Sequence, residues 1–232
     1  MASLSEDPSL ETYAPEAPVT GLRKINTSLQ DKLPKPYMAR AMAAVDKYHP
    51  SGTEGKDSKG MSVLQQHVSF FDRNKDGIVY PWETFQGCRA IGLNLFISFA
   101  AAILINLALS YSTLTGWIPS PLLPIYVKNI HKSKHGSDSD TYDTEGRFEP
   151  SKFEEIFSKY AITNPDALTL DELNTMLRSN RNLNDFMGWI FSLSEWQLLY
   201  YIAKDEQGLL HREAVRGVYD GSLFEQLEKK RA

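Results

Sequence analysis

The stretch Asp72-Arg-Asn-Lys-Asp-Gly-Ile-Val-Tyr-Pro-Trp-Glu83 has oxygen-bearing side chains at alternate positions, then a glycine, and ends in a glutamate. It fits the pattern D-x-[DN]-x-[DN]-G-x5-E, which is a calcium-binding loop between two helices. Calcium takes about six to eight oxygen ligands, and Gly77 permits the sharp turn that brings both ends of the loop to one ion. The expected ligands are Asp72, Asn74, Asp76 and Glu83 through their side chains, Ile78 through its carbonyl, and Tyr80 through a water.

This pattern is the EF-hand motif, and EF-hands normally work in pairs. Residues 141–152 align with the first loop at the glycine and at the apolar eighth position, but Thr141 and Lys152 replace the carboxylates at its two ends. We therefore expect this second loop to pair with the first through Val79 and to bind calcium weakly or not at all. Residues 161–172 and 203–214 are fainter copies, interpreted either as degenerate loops or as ordinary helical hairpins.

Residues 90–127 contain no charged side chain. A helix over its densest part, residues 90–111, would be about 33 Å long, close to the thickness of a bilayer hydrocarbon core. Small or polar residues recur at every fourth position, which places them on one face that usually contacts protein or lipid headgroups. They are Asn94, Ser98, Ala102, Asn106 and Ser110. The segment is either lipid-associating or a soluble core helix, and the prolines of residues 119–124 must end it.

The rest of the chain predicts a mainly α protein in four parts. Residues 1–60 form an extended proline-rich arm, either a flexible tail or partly docked; residues 61–89 form the EF-hand; residues 90–127 form the apolar segment; and residues 128–232 form a helical domain with degenerate EF-hand-like units. Helices are expected at residues 61–71, 153–160, 172–179, 183–203 and 212–228. Apolar residues in the helix 183–203 indicate ordinary core.

Composition excludes several classes of protein. The chain has 232 residues with 25 basic and 29 acidic side chains, and its formal charge of −4 argues against nucleic-acid binding by phosphate neutralisation. Cys88 is the only cysteine, so neither an intrachain disulfide nor a thiolate zinc cluster can form, and a reducing, cytosol-facing location is expected. The sequence has no Walker loop, G-x-S-x-G motif or Rossmann glycine pattern.

Two histidines lie in informative places. His67 occupies an inward position of the helix that enters the calcium loop, where an apolar residue is usual, so it is either a hydrogen-bonded core residue or a ligand. His131 and His135 follow the apolar segment at a spacing of four, which allows a zinc pair on a helix; a basic surface cluster facing anionic headgroups is the other interpretation.

One EF-hand, an uncharged segment and a proline cluster follow each other in an order that resembles the caleosins, plant and fungal lipid-droplet and endoplasmic-reticulum proteins also called plant seed peroxygenases. The resemblance runs from about Leu33 to Leu227. A proline usual in the family's proline knot is replaced by Thr115, which leaves the knot incomplete. The matching stretches are LPKPYMARA, SVLQQHVSFFD, DGIVYPWET, NLALSY, GWIPSPLLPIYVKNIHKSKHGSDSDTYDTEGRF, IFSKYA and YDGSLFE.

The resemblance implies a haem b protein that takes an oxygen atom from a fatty-acid hydroperoxide and places it on an unsaturated fatty acid as an epoxide. The family's two functional histidines correspond to His67 and His135, of which one is the axial ligand and the other a second ligand or a proton shuttle. It also implies a location on a lipid-droplet monolayer or the endoplasmic reticulum membrane, with homo-oligomers possible. The alternative is a non-catalytic calcium-binding lipid-droplet coat or tether.

The two histidines bracket the apolar segment, and this limits its topology. If residues 90–127 crossed a bilayer completely, His67 and His135 would lie roughly 30 Å apart on opposite faces and could not serve one haem. We therefore expect the segment to lie shallowly, or to enter and return, on one side of the lipid. The small and polar stripe would then pack on the EF-hand body or the haem pocket.

Overall fold

Helices dominate the computed structural model, which describes residues 11–19 and 38–231, so the predicted mainly α fold is confirmed. The helices are α1 (Val63–Ser69), α2 (Pro81–Ala90), α3 (Leu95–Thr113), a 3-10 helix (Val127–Ser133), α4 (Pro150–Tyr160), α5 (Leu170–Ser179), α6 (Phe186–Ala203), α7 (Arg212–Tyr219) and α8 (Ser222–Lys229). The strands, each of two residues, are β1 (Ile78–Val79), β2 (Ile125–Tyr126), β3 (Ala167–Leu168) and β4 (Leu210–His211).

The calcium-type loop joins α1 to α2, as predicted. Ser62 and Gln65 cap α1 reciprocally, while Pro81 pre-sets the first turn of α2. The strand partner is not the predicted one, however: β1 pairs antiparallel with β2, with Val79 opposite Ile125. The partner strand comes directly after the proline cluster, and the expected loop at residues 141–152 instead forms a bridge between Phe148 and Arg40 of the N-terminal arm.

The two fainter loops, residues 161–172 and 203–214, pair with each other. β3 in the loop between α4 and α5 pairs antiparallel with β4 in the loop between α6 and α7. Leu168 faces Leu210, and these are the eighth positions of residues 161–172 and 203–214. The largest hydrophobic core cluster lies here and includes both leucines. The two segments therefore pair with each other and are not independent hairpins, whereas their description as degenerate EF-hand-like units stays a prediction.

The apolar helix α3 packs lengthwise on the body of the protein. The predicted small and polar stripe is the buried face from Ser98 to Ser110, with Ser98 and Asn106 both 0% exposed, while its first member, Asn94, is exposed. The opposite face leaves Phe96 83% and Leu104 63% exposed. Asn94 caps the first turn by accepting a hydrogen bond from the amide of Ile97. The prediction that the stripe packs on protein is confirmed.

Several predicted boundaries and one predicted core face need correction. The charge-free run does not begin as one helix, because α2 reaches Ala90 and a turn at Gly92, with φ of 99°, separates it from α3. Gly221, with φ of 78°, likewise divides the predicted helix 212–228 into α7 and α8. In α6, Trp196, Leu199 and Tyr200 are buried as predicted, but Phe186, Ile190 and Leu193 are exposed, so that part of the predicted core is wrong.

The N-terminal arm is described only in part. Residues 38–60 pack on the body, with Ala41 and Ala44 fully buried and Arg40 bridged to Phe148. The expectation of a flexible tail over residues 1–32 falls mostly outside the described residues. The possible docking of residues 33–37 lies outside them entirely.

Candidate functional site

The calcium-type loop is held together by its own carboxylates. Asp72 accepts hydrogen bonds from the amides of Asp76 (3.1 Å) and Gly77 (2.8 Å). Glu83 is 2% exposed and accepts from the amides of Arg73, Asn74 and Tyr80 at 3.0–3.3 Å. Gly77 has φ of 83°, the left-handed conformation that the turn requires.

The donor set of this loop suits a hard cation, because it consists of oxygens only. Asn74 nevertheless donates to Asp76 at 2.9 Å, and the carboxylates of Asp72 and Glu83 face backbone amides. Across residues 11–19 and 38–231, no group of three or more His, Cys, Asp or Glu side chains is arranged to hold a metal ion. The expected ligands Ile78 and Tyr80 lie at the start of β1 and just after it. Calcium binding at Asp72, Asn74, Asp76, Ile78, Tyr80 and Glu83 thus fits by residue chemistry and stays a prediction.

His67 lies on α1 and is tied to the C-terminal turn of α7. Its Nδ1 donates to the carbonyl oxygen of Val218 at 2.7 Å, an arrangement that leaves Nε2 unprotonated and free to coordinate. Burial lowers the pKa of His67, although the hydrogen bond to Val218 and the charge of Asp220 act in the opposite direction. The imidazole therefore stays neutral at neutral pH, which is the form that binds a metal ion.

His135 lies just after the 3-10 helix, in a loop and not on a helix. Its Nδ1 is a buried atom with no hydrogen-bond partner, a state that normally costs free energy. The ring lies beside Phe191 of α6, with 6.4 Å between ring centroids. The neighbouring His131 lies on the 3-10 helix, and no metal cluster includes either residue in the described part of the chain.

The segments carrying the two histidines meet at the same end of α7. His67 bonds to Val218, and the next residue, Tyr219, is held by the loop that follows His135. The Tyr219 hydroxyl is 2.8 Å from the hydroxyl of Ser139, and Tyr142 donates to the Tyr219 carbonyl at 2.5 Å. Nothing in the sequence indicated this role of Val218 and Tyr219, which depends on the folding of α7 between the two segments.

Aromatic and apolar side chains surround the His67 ring. Phe224 of α8 makes an edge contact at 5.1 Å between centroids and in turn contacts Phe70 and Phe71. Leu198 and Ile202 of α6 and Ala101 of α3 pack on the same cluster. The neutral imidazole of His67 therefore lies in aromatic and apolar surroundings.

Comparison with known proteins identifies the family of the chain. A family model described as "Caleosin related protein" matches residues 59–228. The chain belongs to the caleosin family. A curated relative from Lilium longiflorum, named "Peroxygenase", is 63% identical over 233 residues, covering 100% of this chain and 98% of the relative. The resemblance inferred from the motifs is confirmed.

Two caleosin-like relatives from Arabidopsis thaliana carry different functional names. "Probable peroxygenase 4" is 57% identical over 171 residues, covering 74% of this chain and 88% of the relative. "Probable inactive peroxygenase-like protein" is 46% identical over 147 residues, covering 63% of this chain and 70% of the relative. No solved structure matches the chain.

Proposed function

We propose that this chain is a calcium-binding haem peroxygenase that transfers an oxygen atom from a fatty-acid hydroperoxide to an unsaturated fatty acid, forming an epoxide in oxylipin metabolism. The observation that carries the proposal is that His67 and the segment after His135 are bonded to consecutive residues, Val218 and Tyr219. His67 and the segment that follows His135 thereby border the same region of the protein, although they are far apart in sequence. The full-length similarity to a relative named peroxygenase supports the same activity.

Haem b fits this region by the chemistry of its donors. His67 offers a neutral Nε2, and His135 offers a buried ring nitrogen without a partner. One imidazole would hold the iron and the other would hold or move a proton at its free ring nitrogen. When bound, the haem would supply the iron at which the oxygen–oxygen bond of the hydroperoxide is broken. Phe70, Phe71 and Phe224 would exclude water from the porphyrin face nearest His67.

Calcium would act on this site through the packing of α3. Asn106 of α3 donates to the carbonyls of Val79 (3.0 Å) and Leu123 (2.9 Å) and accepts from the Thr84 hydroxyl at 2.6 Å. Through these bonds the buried side-chain amide of Asn106 connects α3 to β1, to α2 and to the proline cluster. Ordering of the loop by calcium would therefore fix α1, which carries His67, relative to α2 and α3.

The lipid attachment that we propose is in-plane. α3 is long and apolar enough to cross a membrane by length and composition, but its small and polar face is buried on the protein along its length. Its outer face, together with Trp117 and Ile118, both more than 80% exposed, would lie in the surface of a lipid droplet or of the endoplasmic reticulum, facing the cytosol. The exposed apolar residues of α6 would extend the same contact.

The experiment is a visible absorption spectrum of the purified full-length protein and of three single variants. We expect a haem Soret band in the wild type that is lost or strongly reduced in His67→Ala and His135→Ala. His131→Ala, four residues from His135, is the matched control and should keep the band. A folded, colourless wild type would overturn the proposal and favour the non-catalytic lipid-droplet coat. Full haem retention in both histidine variants would remove them from the haem site.

A further inference from the structure

Helix α6 contains a single acidic or basic residue, Glu195, in 18 residues. The residues flanking it in space recur at helical spacing and share one face of α6: Phe191, Leu198 and Ile202. Phe191 lies beside the His135 ring, whereas Leu198 and Ile202 pack on the cluster that contains Phe224, the neighbour of His67. One face of α6 thus runs from one histidine to the other, with Glu195 between them.

Glu195 combines two properties that a convex surface would not give it. Its side chain is exposed to solvent. Even so, desolvation by the many protein atoms around it, with a smaller effect of the charge of Asp138, raises the pKa of Glu195 to about 7. Both hold for a carboxyl group on the wall of a cleft. The carboxyl has no hydrogen-bond partner among residues 11–19 and 38–231.

The groups coupled to Glu195 are acidic or phenolic, and the acidic one, Asp138, also lies 3.8 Å from the ammonium group of Lys134. Asp138 comes from the loop after His135, and Glu195 contributes to the raised pKa of both Tyr142 and Tyr219. A second negative charge beside Asp138 and Glu195 would be unfavourable, so this point favours a neutral group over an ionised fatty-acid carboxylate. A neutral carboxyl group, by contrast, can donate one hydrogen bond and accept another.

We infer that Glu195 is a specificity-determining residue of this site, whose carboxyl group hydrogen-bonds the mid-chain hydroperoxyl or hydroxyl group of a lipid substrate. This inference rests on the proposed function, because it concerns the substrate of the same site. The apolar side chains of Phe191, Leu198 and Ile202 accommodate the hydrocarbon on either side of the polar group. The fatty-acid head group then lies away from Asp138 and Glu195.

The test compares binding of a mid-chain hydroxy fatty acid, a stable stand-in for the hydroperoxide, with binding of the unsubstituted fatty acid of the same length. Calorimetry on the full-length holoprotein gives the ratio of the two dissociation constants, without any turnover. Glu195→Leu should reduce the preference for the hydroxy acid by about three- to tenfold, the size of one net hydrogen bond. Ser194→Ala, on an exposed turn of the same helix, should leave the ratio unchanged.

The pH dependence separates a hydrogen-bonding role from a merely structural one. As the wild-type carboxyl ionises above pH 7 it becomes a charge-assisted acceptor for the hydroxyl proton, so the preference for the hydroxy acid should rise; Glu195→Gln does not ionise and should show a flat profile. An unchanged preference in a folded Glu195→Leu, or the same pH profile in wild type and Glu195→Gln, would overturn the inference. Absence of haem from the wild type would instead contradict the proposed function.

Discussion

The calcium-type loop and the C-terminal loop pair share one backbone arrangement but differ in their side chains. In each, an apolar eighth position pairs across a short antiparallel ladder, Val79 with Ile125 and Leu168 with Leu210. In each, a final glutamate accepts hydrogen bonds from three backbone amides of its own loop. The loop at residues 72–83 has an oxygen-bearing residue at every position where a calcium ligand is expected, whereas the C-terminal loops lack most of these residues.

This difference shows that the shared backbone arrangement does not need metal ligands for its stability. In the C-terminal pair a buried arginine supplies positive charge: Arg212 bonds to Asp166 and Glu154, each at 2.9 Å. A charged side chain so placed needs its carboxylate partners, because an unpaired buried charge is costly. The expected calcium ligands of the first loop are therefore an addition to a fold that hydrogen bonds and apolar packing already specify.

The largest expected effect is on the C-terminal ladder. Leu210→Ala removes a fully buried side chain from the main core and should lower the free energy of unfolding by about 2–5 kcal/mol, with or without calcium. Val79→Ala, at the matching position of the first loop, removes only two methyl groups, each contributing about 0.8 kcal/mol. Urea unfolding of both variants measures the difference. A larger loss for Val79→Ala would mean that the first loop, and not the C-terminal pair, is the main source of stability.

The same comparison shows what the sequence could and could not predict. The calcium-type loop and the buried stripe of α3 were predictable because ligand spacing and the recurrence of Ser98, Ala102 and Asn106 are local patterns. The partner of β1 was predicted wrongly because residues 141–152 carry the stronger loop pattern, while the actual partner at Ile125 has no loop signature at all. This strand pairing depends on the direction that the chain takes after the proline cluster, and no local sequence pattern indicates that direction.

The site was predicted in part for a similar reason. His67 stands out as a polar residue at an inward position, but its bond to Val218 depends on a helix more than a hundred residues later in the chain. Glu195 was overlooked although it is the single charge in a long uncharged run, because that run indicated core. The exposed Phe186, Ile190 and Leu193 show that an apolar pattern alone does not separate a core face from an exposed one.

A smaller effect is expected where the first loop meets α3. Asn106→Leu would leave the Val79 and Leu123 carbonyls and the Thr84 hydroxyl without their buried partner, at a cost of about 1–3 kcal/mol. Asn174→Leu is the control in the C-terminal pair, because it removes one half-buried bond to Gln197. It should cost less than about 1 kcal/mol in the same urea titration. We also expect weaker calcium binding in Asn106→Leu alone, and equal calcium affinity in both variants would separate the loop from α3.

The smallest effect on stability, and the sharpest on function, comes from the two final glutamates. Glu83→Gln and Glu172→Gln each weaken comparable hydrogen bonds to loop amides, so each should cost about 0.5–2 kcal/mol in metal-free protein. Glu83→Gln should also weaken calcium binding by more than about tenfold in calorimetry, because it removes one of the two ligand oxygens, whereas Glu172→Gln should not change it.

The pH dependence of these variants is the final check on the structural role of Glu172. Burial acts to raise its pKa, but hydrogen bonds from Thr169 and Thr163 outweigh this and lower the pKa of Glu172. A carboxyl group with a lowered pKa stabilises the fold above its unfolded-state pKa, and that stabilisation is lost as the pH falls through the folded-state value. Wild-type protein should therefore lose stability on acidification more steeply than Glu172→Gln. Parallel acid profiles for the two proteins would show that the amides of the C-terminal loop do not favour the charged form of this glutamate.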